Sequence, residues 1–280
     1  TGVAGQKKVN TPFARYGIGT LELQGAFRTR AMGGISSGIR DNLTLNYLTP
    51  ASYSSTDTTS FLFDFGIDYA MAKLKGDGLR YYSQDITFAH LMLGFPIMKG
   101  WGVAAAVMPY ANGSYSIGYR SEGSGVTGSL YELHNGSGGF QKALFGTGLR
   151  LLPFVSAGAN IFYMFGEETR INDFAFTADN NHFNTRKQGT SGMRGFGYDA
   201  SVQFMLNLSG GRFIIAGLTY TPAYDLKTNN EDVTMRYSTA STSIFSIDTL
   251  THAKLSITSR MPQSFRAGFS LGKSDKLTAG

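Results

Sequence analysis

The chain contains no cysteine, so neither a disulfide framework nor a thiolate metal site can contribute to its fold or chemistry. It also lacks any apolar run of about 18 residues, the minimum for a membrane-spanning helix. The longest candidate, around residues 101–110, is far shorter and contains Pro109. Charged residues are only 16% of the chain, and the net charge of +6 is scattered rather than gathered into a basic stripe, which removes nucleic acid as a partner. His90, His134, His182 and His252 stand far apart without metal-ligand spacing and read as solvated or lumen-facing side chains. The basic and apolar regions of a secretory signal are missing, and residues 1–6 read as the small-residue tail of one, with the mature chain starting near Gln6.

What the chain does have is glycine (36), phenylalanine (21) and tyrosine (15), arranged with a period of two. Phe61, Phe63, Phe65, Ile67, Tyr69 and Met71 alternate with Leu62, Asp64, Gly66, Asp68 and Ala70. This places the large apolar groups on one face of a strand and two carboxylates on the other. Tyr198, Ala200, Val202, Phe204, Leu206 and Leu208 repeat the pattern against Asp199, Ser201 and Gln203; Phe265, Ala267, Phe269 and Leu271 repeat it against Arg266, Gly268 and Ser270. Strands of about 10 residues, apolar toward lipid and polar or small toward a lumen, characterise a transmembrane antiparallel β-barrel. A water-soluble β-sandwich is the competing class, since half-buried strands also alternate.

Residues 1–58 show little alternation and read as an N-terminal arm and hatch, or plug; residues 59–280 read as the barrel. Alternating segments near 59–73, 80–97, 101–120, 140–152, 154–170, 196–209, 211–224, 242–260 and 263–272 predict roughly nine strands. Short turns are expected at Met98-Lys99-Gly100, Leu152-Pro153, Ser209-Gly210-Gly211 and Met261-Pro262, and long polar loops at 121–139, 171–195 and 225–241. Alternation of short and long connections fits the periplasmic turns and extracellular loops of outer-membrane barrels. Tyr81, Tyr82, Phe95, Trp101, Tyr115, Tyr119, Phe162, Tyr163, Tyr220 and Tyr224 cluster near strand ends, at headgroup level on this reading; ordinary packing is the bland alternative.

Motifs for chemistry are weak. Gly34-Ile35-Ser36-Ser37-Gly38 matches the nucleophile elbow, but its flanks lack the strand before and the helix after that the motif needs, so no catalytic residue is assigned and the chain is not read as an enzyme. Asp179-Asn180-Asn181 and Asn229-Asn230-Glu231-Asp232 offer oxygen ligands without the spacing of a calcium loop, and loop polarity accounts for them. No metal or cofactor site is expected. Asp64 and Asp68, facing the lumen, are expected to line a polar interior or to pair with Arg30 or Arg40 of the plug.

The stretch Arg30-Ala31-Met32-Gly33-Gly34, then Gly38-Ile39-Arg40-Asp41, then Asn46-Tyr47-Leu48-Thr49-Pro50-Ala51-Ser52 resembles the hatch region of the FadL/TodX-type family of outer-membrane transport proteins. The opening Asn10-Thr11-Pro12-Phe13-Ala14-Arg15-Tyr16-Gly17-Ile18-Gly19 is similar to Bacteroidota-type members, and residues 153–160, 163–166 and 261–268 resemble family strands. The resemblance implies a FadL-like barrel of about 14 strands with an N-terminal hatch, whose residues here would be Arg30, Gly33, Gly34, Arg40, Asp41, Asn46, Pro50 and Ala51. Thr49-Pro50-Ala51 stands where the family has Asn-Pro-Ala, so no role rests on that asparagine.

Two functions follow as expectations. The resemblance implies passive uptake of hydrophobic compounds such as long-chain fatty acids across the outer membrane of a Gram-negative bacterium. Membrane lipid and a hydrophobic small molecule or lipid ligand would then be the partners. The alternative is a non-transporting structural or adaptor barrel in a larger membrane complex, a protein-secretion translocon or a barrel-assembly machine, with other outer-membrane proteins or lipoproteins as partners. Because an open sheet edge cannot sit in hydrocarbon and the strand count is odd, roughly five further strands are expected beyond Gly280.

Overall fold

The computed structural model describes residues 12–76, 79–121, 129–176, 183–240, 243–273 and 277–279. In chain order its strands are β1 (Thr20–Leu21), β2 (Leu62–Gly76), β3 (Leu79–Met98), β4 (Trp101–Asn112), β5 (Tyr115–Ser121), β6 (Leu130–Leu152), β7 (Val155–Phe176), β8 (Asn184–Leu208), β9 (Arg212–Thr221), β10 (Tyr224–Ala240), β11 (Ser243–Met261), β12 (Ser264–Lys273) and β13 (Leu277–Ala279). They form one curled antiparallel sheet, ordered β13-β12-β9-β8-β7-β6-β4-β3-β2, with β10 between β8 and β11, β5 on β6, and β1 on β4.

The alternation read from the sequence matches the faces of this sheet. Phe63, Phe65, Ile67, Tyr69 and Met71 are exposed on the convex side of β2, whereas Asp64, Gly66 and Asp68 are half-buried on the concave side. On β8, Tyr198, Val202 and Phe204 are exposed while Asp199, Ser201 and Gln203 are buried. The turns at Lys99-Gly100, Pro153-Phe154 and Ser209-Gly210-Gly211 are also present. Gly100, Gly210 and Gly211 adopt φ of 82°, 77° and 71°, a left-handed conformation that glycine enters without steric cost.

Four expectations need correction. The supposed loop at 121–139 is strand from Leu130 onward, where it pairs with β5 and β7. Much of 171–195 belongs to the ends of β7 and β8, paired from Asp173↔Arg186 to Phe165↔Arg194. The segment 225–241 is mostly β10, held between β8 and β11. Where neither face is apolar, periodicity vanishes from the sequence, but the backbone ladder needs no apolar side chain and continues. Met261-Pro262 is not a turn either: β11 and β12 run the same way, pairing with β10 and β9 respectively. They are one strand interrupted beside Pro262, as β9 and β10 are interrupted beside Pro222, because proline donates no ladder hydrogen bond.

The concave side is covered by residues 25–55. A short helix α1 (Phe27–Ala31) and a 3-10 turn (Pro50–Ser55) are joined by irregular chain, and the 3-10 turn packs on β3, β4, β6, β7 and β8. Ala26, Leu45, Tyr47, Leu48 and Tyr53 meet Met92, Met108, Leu144, Phe162, Met164 and Leu226 of the wall in one buried cluster.

Candidate functional site

Rows of glycine let this inner segment lie directly against the sheet. Gly102, Gly148 and Gly158 are direct neighbours across β4, β6 and β7. A Cβ at these positions would lie 2.3 Å from the Tyr53 carbonyl oxygen, 2.3 Å from the Pro50 carbonyl oxygen and 2.4 Å from the Pro50 carbonyl carbon. Only glycine lets the backbone of the 3-10 turn approach so closely. The row continues to Ser201, opposite Gly158, whose Oγ accepts the Ala51 N–H at 2.7 Å. A second pair, Gly217 and Gly268 on β9 and β12, makes room for Ser37 and Gly38.

Polar latches fix the register. Gln203 donates Nε2 to the carbonyls of Ser37 (2.9 Å) and Ile39 (3.0 Å), and Ser270 donates to the Gly38 carbonyl. Tyr53 donates its hydroxyl to Asn160 Oδ1 at 3.0 Å, and Asn160 donates to the Tyr47 carbonyl at 2.9 Å. Burial pushes the Tyr47 and Tyr53 hydroxyls up, so both stay neutral donors. Deeper in the wall Asp199 accepts from Thr221 Oγ1 at 2.6 Å and faces Lys142 at 3.5 Å and Arg266 at 3.9 Å.

The residues singled out in the sequence divide in two. Arg30 pairs with Asp68 at 2.5 Å and donates Nε to the Gly25 carbonyl; Asp64 instead lies 3.3 Å from His90. Arg40 donates to Ser54 and Ser156, and Asp41 pairs with Arg28. Asn46 donates to the Ser36 carbonyl, and Pro50 and Ala51 are fully buried against the glycine row. At Gly33 and Gly34, by contrast, a Cβ would meet nothing within 4 Å: with φ of 74° and 88° they turn the chain after α1, their N–H groups donating to the Arg30 and Thr29 carbonyls. The close-approach glycines are Gly38 of the inner segment and Gly102, Gly148, Gly158 and Gly217 of the wall, and the signal that could have found the wall positions was glycine recurring at inward positions of strands.

The elbow-like Ser36 is buried in irregular chain, its carbonyl accepting from Ile39 and Asn46, so it lacks the strand-to-helix setting of a nucleophile. Among the described residues no cluster of His, Asp or Glu could hold a metal ion. Asn229-Asn230-Glu231-Asp232 lies within β10, whereas Asp179-Asn180-Asn181, His182 and residues 1–6 fall outside the described residues.

The family model BamG matches residues 1–280. The chain therefore belongs to the BamG family, a family of barrel-assembly machinery components, and is a bacterial outer-membrane-associated protein. Searches of curated proteins and of solved structures gave no match.

Proposed function

We propose that this member of the BamG family is a transmembrane β-barrel of the outer membrane that serves the barrel-assembly machinery as a non-enzymatic, non-transporting adaptor. The short-turn end faces the periplasm and the inner segment is its hatch. The observation that carries this reading is the fixed, filled concave side. Thr49 and Ala51 are 0% exposed, Met92, Met108 and Phe162 about as deeply buried, and glycine rows on two parts of the wall hold the hatch backbone without slack. A channel for bulky apolar solutes needs a plug that leaves, and undocking this one would break buried hydrogen bonds on β7, β8 and β12 together, each costly when left unmade.

The convex band of Phe, Ile, Leu and Tyr then meets lipid, and the FadL-type architecture supplies a scaffold rather than an uptake route. Fatty-acid uptake rests on the family resemblance alone; the barrel-assembly role also has the family match over the whole chain. The test is native purification from outer membranes in mild detergent. Stoichiometric co-elution with outer-membrane assembly proteins is expected, together with no gain in long-chain fatty-acid uptake when the protein is expressed in cells lacking a transporter. Uptake restored by this chain, with no partner retained, would overturn the proposal.

A further inference from the structure

The concave face near the short turns holds two guanidinium groups without a matching carboxylate. Arg150 on β6 stands directly opposite Ser156 on β7, continuing the inward positions Gly148 and Gly158 of the same two strands. From the hatch, Arg40 donates Nη1 to Ser156 Oγ and Nη2 to Ser54 Oγ, each at 2.7 Å. Two cations thus flank one serine. The nearest acid in sequence, Asp41, is committed elsewhere, to Arg28 and to the Leu43 N–H. Among the described residues neither Arg40 nor Arg150 forms an ion pair. Burial, and then the charge of Arg150, press the Arg40 pKa down to about 10. The first cause is the loss of water around the guanidinium, the second the like charge beside it.

We infer that Arg150 and Arg40, the latter held by the hydroxyls of Ser54 and Ser156, form a receptor for a carboxylate presented by an acidic segment of a periplasmic partner. The planar guanidinium matches a carboxylate in two-point contact; the two buried serines hold Arg40 in place, Ser54 Oγ donating its own proton to the Ala51 carbonyl at 2.7 Å. Arg150 is exposed, so the site is reachable, while Arg40 lies deeper and gains most from a counter-charge. Lipid phosphate is the poorer occupant because of the wall itself. Headgroups surround the convex side, where the exposed neighbours Arg212 and Lys273 stand at the same end of the sheet to meet them. Arg150 is on the opposite face, open only to something that enters the mouth. This inference rests on the adaptor reading, which supplies the partner.

The experiment uses the detergent-purified protein and a fluorescein-labelled hexa-aspartate peptide, with fluorescence anisotropy at low and moderate salt. Arg150→Gln removes an exposed side chain, and its fold is checked by heat-modifiable gel mobility. Loss of the charge pair should weaken peptide binding about tenfold or more, whereas Arg212→Gln should change it by less than about threefold. Equal affinity of wild type and Arg150→Gln overturns the receptor, as does displacement of the peptide by an equal concentration of inorganic phosphate. A larger loss from Arg212→Gln than from Arg150→Gln also overturns it, in favour of the headgroup rim. A parallel native purification separates the two levels. No partner with wild type defeats the adaptor reading; partners retained, but with equal peptide affinity for both proteins, defeat only the receptor.

Discussion

The lower and upper parts of the wall are built from the same long strands yet obey different rules. Along β8, residues 196–208 carry a strict convex series of Phe196, Tyr198, Ala200, Val202, Phe204, Leu206 and Leu208, while the concave positions Asp199, Ser201 and Gln203 are buried or bonded to the hatch. Along the same strand, residues 184–194 carry Arg186, Gln188, Thr190 and Arg194 on the convex side. Their pairing with β7 and β10 runs on without a break in register. The twelve steps from Phe196 to Leu208, rising about 3.3 Å each and tilted by about 45°, span close to the height of an outer-membrane apolar band. The lower part is therefore specified by its two environments. The upper part is specified by its ladder and by ion pairs such as Asp173 with Arg186 at 2.6 Å.

The largest expected effect breaks that distinction directly. Phe65, 54% exposed on the convex side of β2, lies within the apolar series; Phe65→Arg should cost on the order of 2–4 kcal/mol if the band faces hydrocarbon. Asn229→Arg, an exposed convex position of β10 opposite Gly192 in the upper part, should change stability by no more than about 0.5 kcal/mol. Urea unfolding of the two variants in lipid bilayers measures both. Similar costs at the two positions would mean that the two parts share one environment, and the membrane assignment of the lower one would be lost.

The same contrast explains what was legible in the sequence. Alternation, and therefore the faces of β2, β8 and β12, could be read because one side needs apolar groups and the other does not. The turn glycines could be read because left-handed backbone selects them. The upper ladder could not: Asn184 to Gly192 and Asp225 to Arg236 look like loop because pairing there depends on backbone partners supplied by distant chain. Pro262 looked like a turn residue, and only the register shows the strand running past it. For the hatch, the small-residue stretch from Arg30 to Ser52 was visible, but its seat was not. Gly148 and Gly158 matter only because Pro50 lies against them, a relation between segments far apart in sequence.

A second effect, smaller than the first, tests whether glycine rows or polar latches hold the hatch. Gly158→Val would place side-chain atoms where the Pro50 and Ala51 backbone now sits, with the nearest approach at 2.4 Å from a backbone carbon. Backbone cannot move aside as a flexible side chain can, so the hatch must shift, at a cost of about 1–3 kcal/mol. Gly192→Val on the upper part of the same sheet meets nothing closer than 3.9 Å and should cost less. Limited proteolysis within residues 30–52 should accelerate in Gly158→Val alone. Unchanged protection would assign the hold to the hydrogen bonds of Asn160, Gln203 and Ser270 instead.

The smallest expected effect concerns the ion pair that ties the hatch to β2. Arg30 is largely buried, but Asp68 is 42% exposed, so water screens the pair despite its 2.5 Å contact. A double-mutant cycle with Arg30→Gln and Asp68→Asn should return a coupling of about 1 kcal/mol or less, the range of partly exposed pairs. Asp64→Asn is the internal control. Asp64 sits on the same concave face two pairs away, with His90 rather than Arg30 as its neighbour, and should show no coupling to Arg30 beyond about 0.3 kcal/mol. Coupling above about 2 kcal/mol for Asp68 would mean that the site is drier than its exposure indicates. The concave face beside β2 would then belong with the sealed lower part of the wall rather than with an open vestibule.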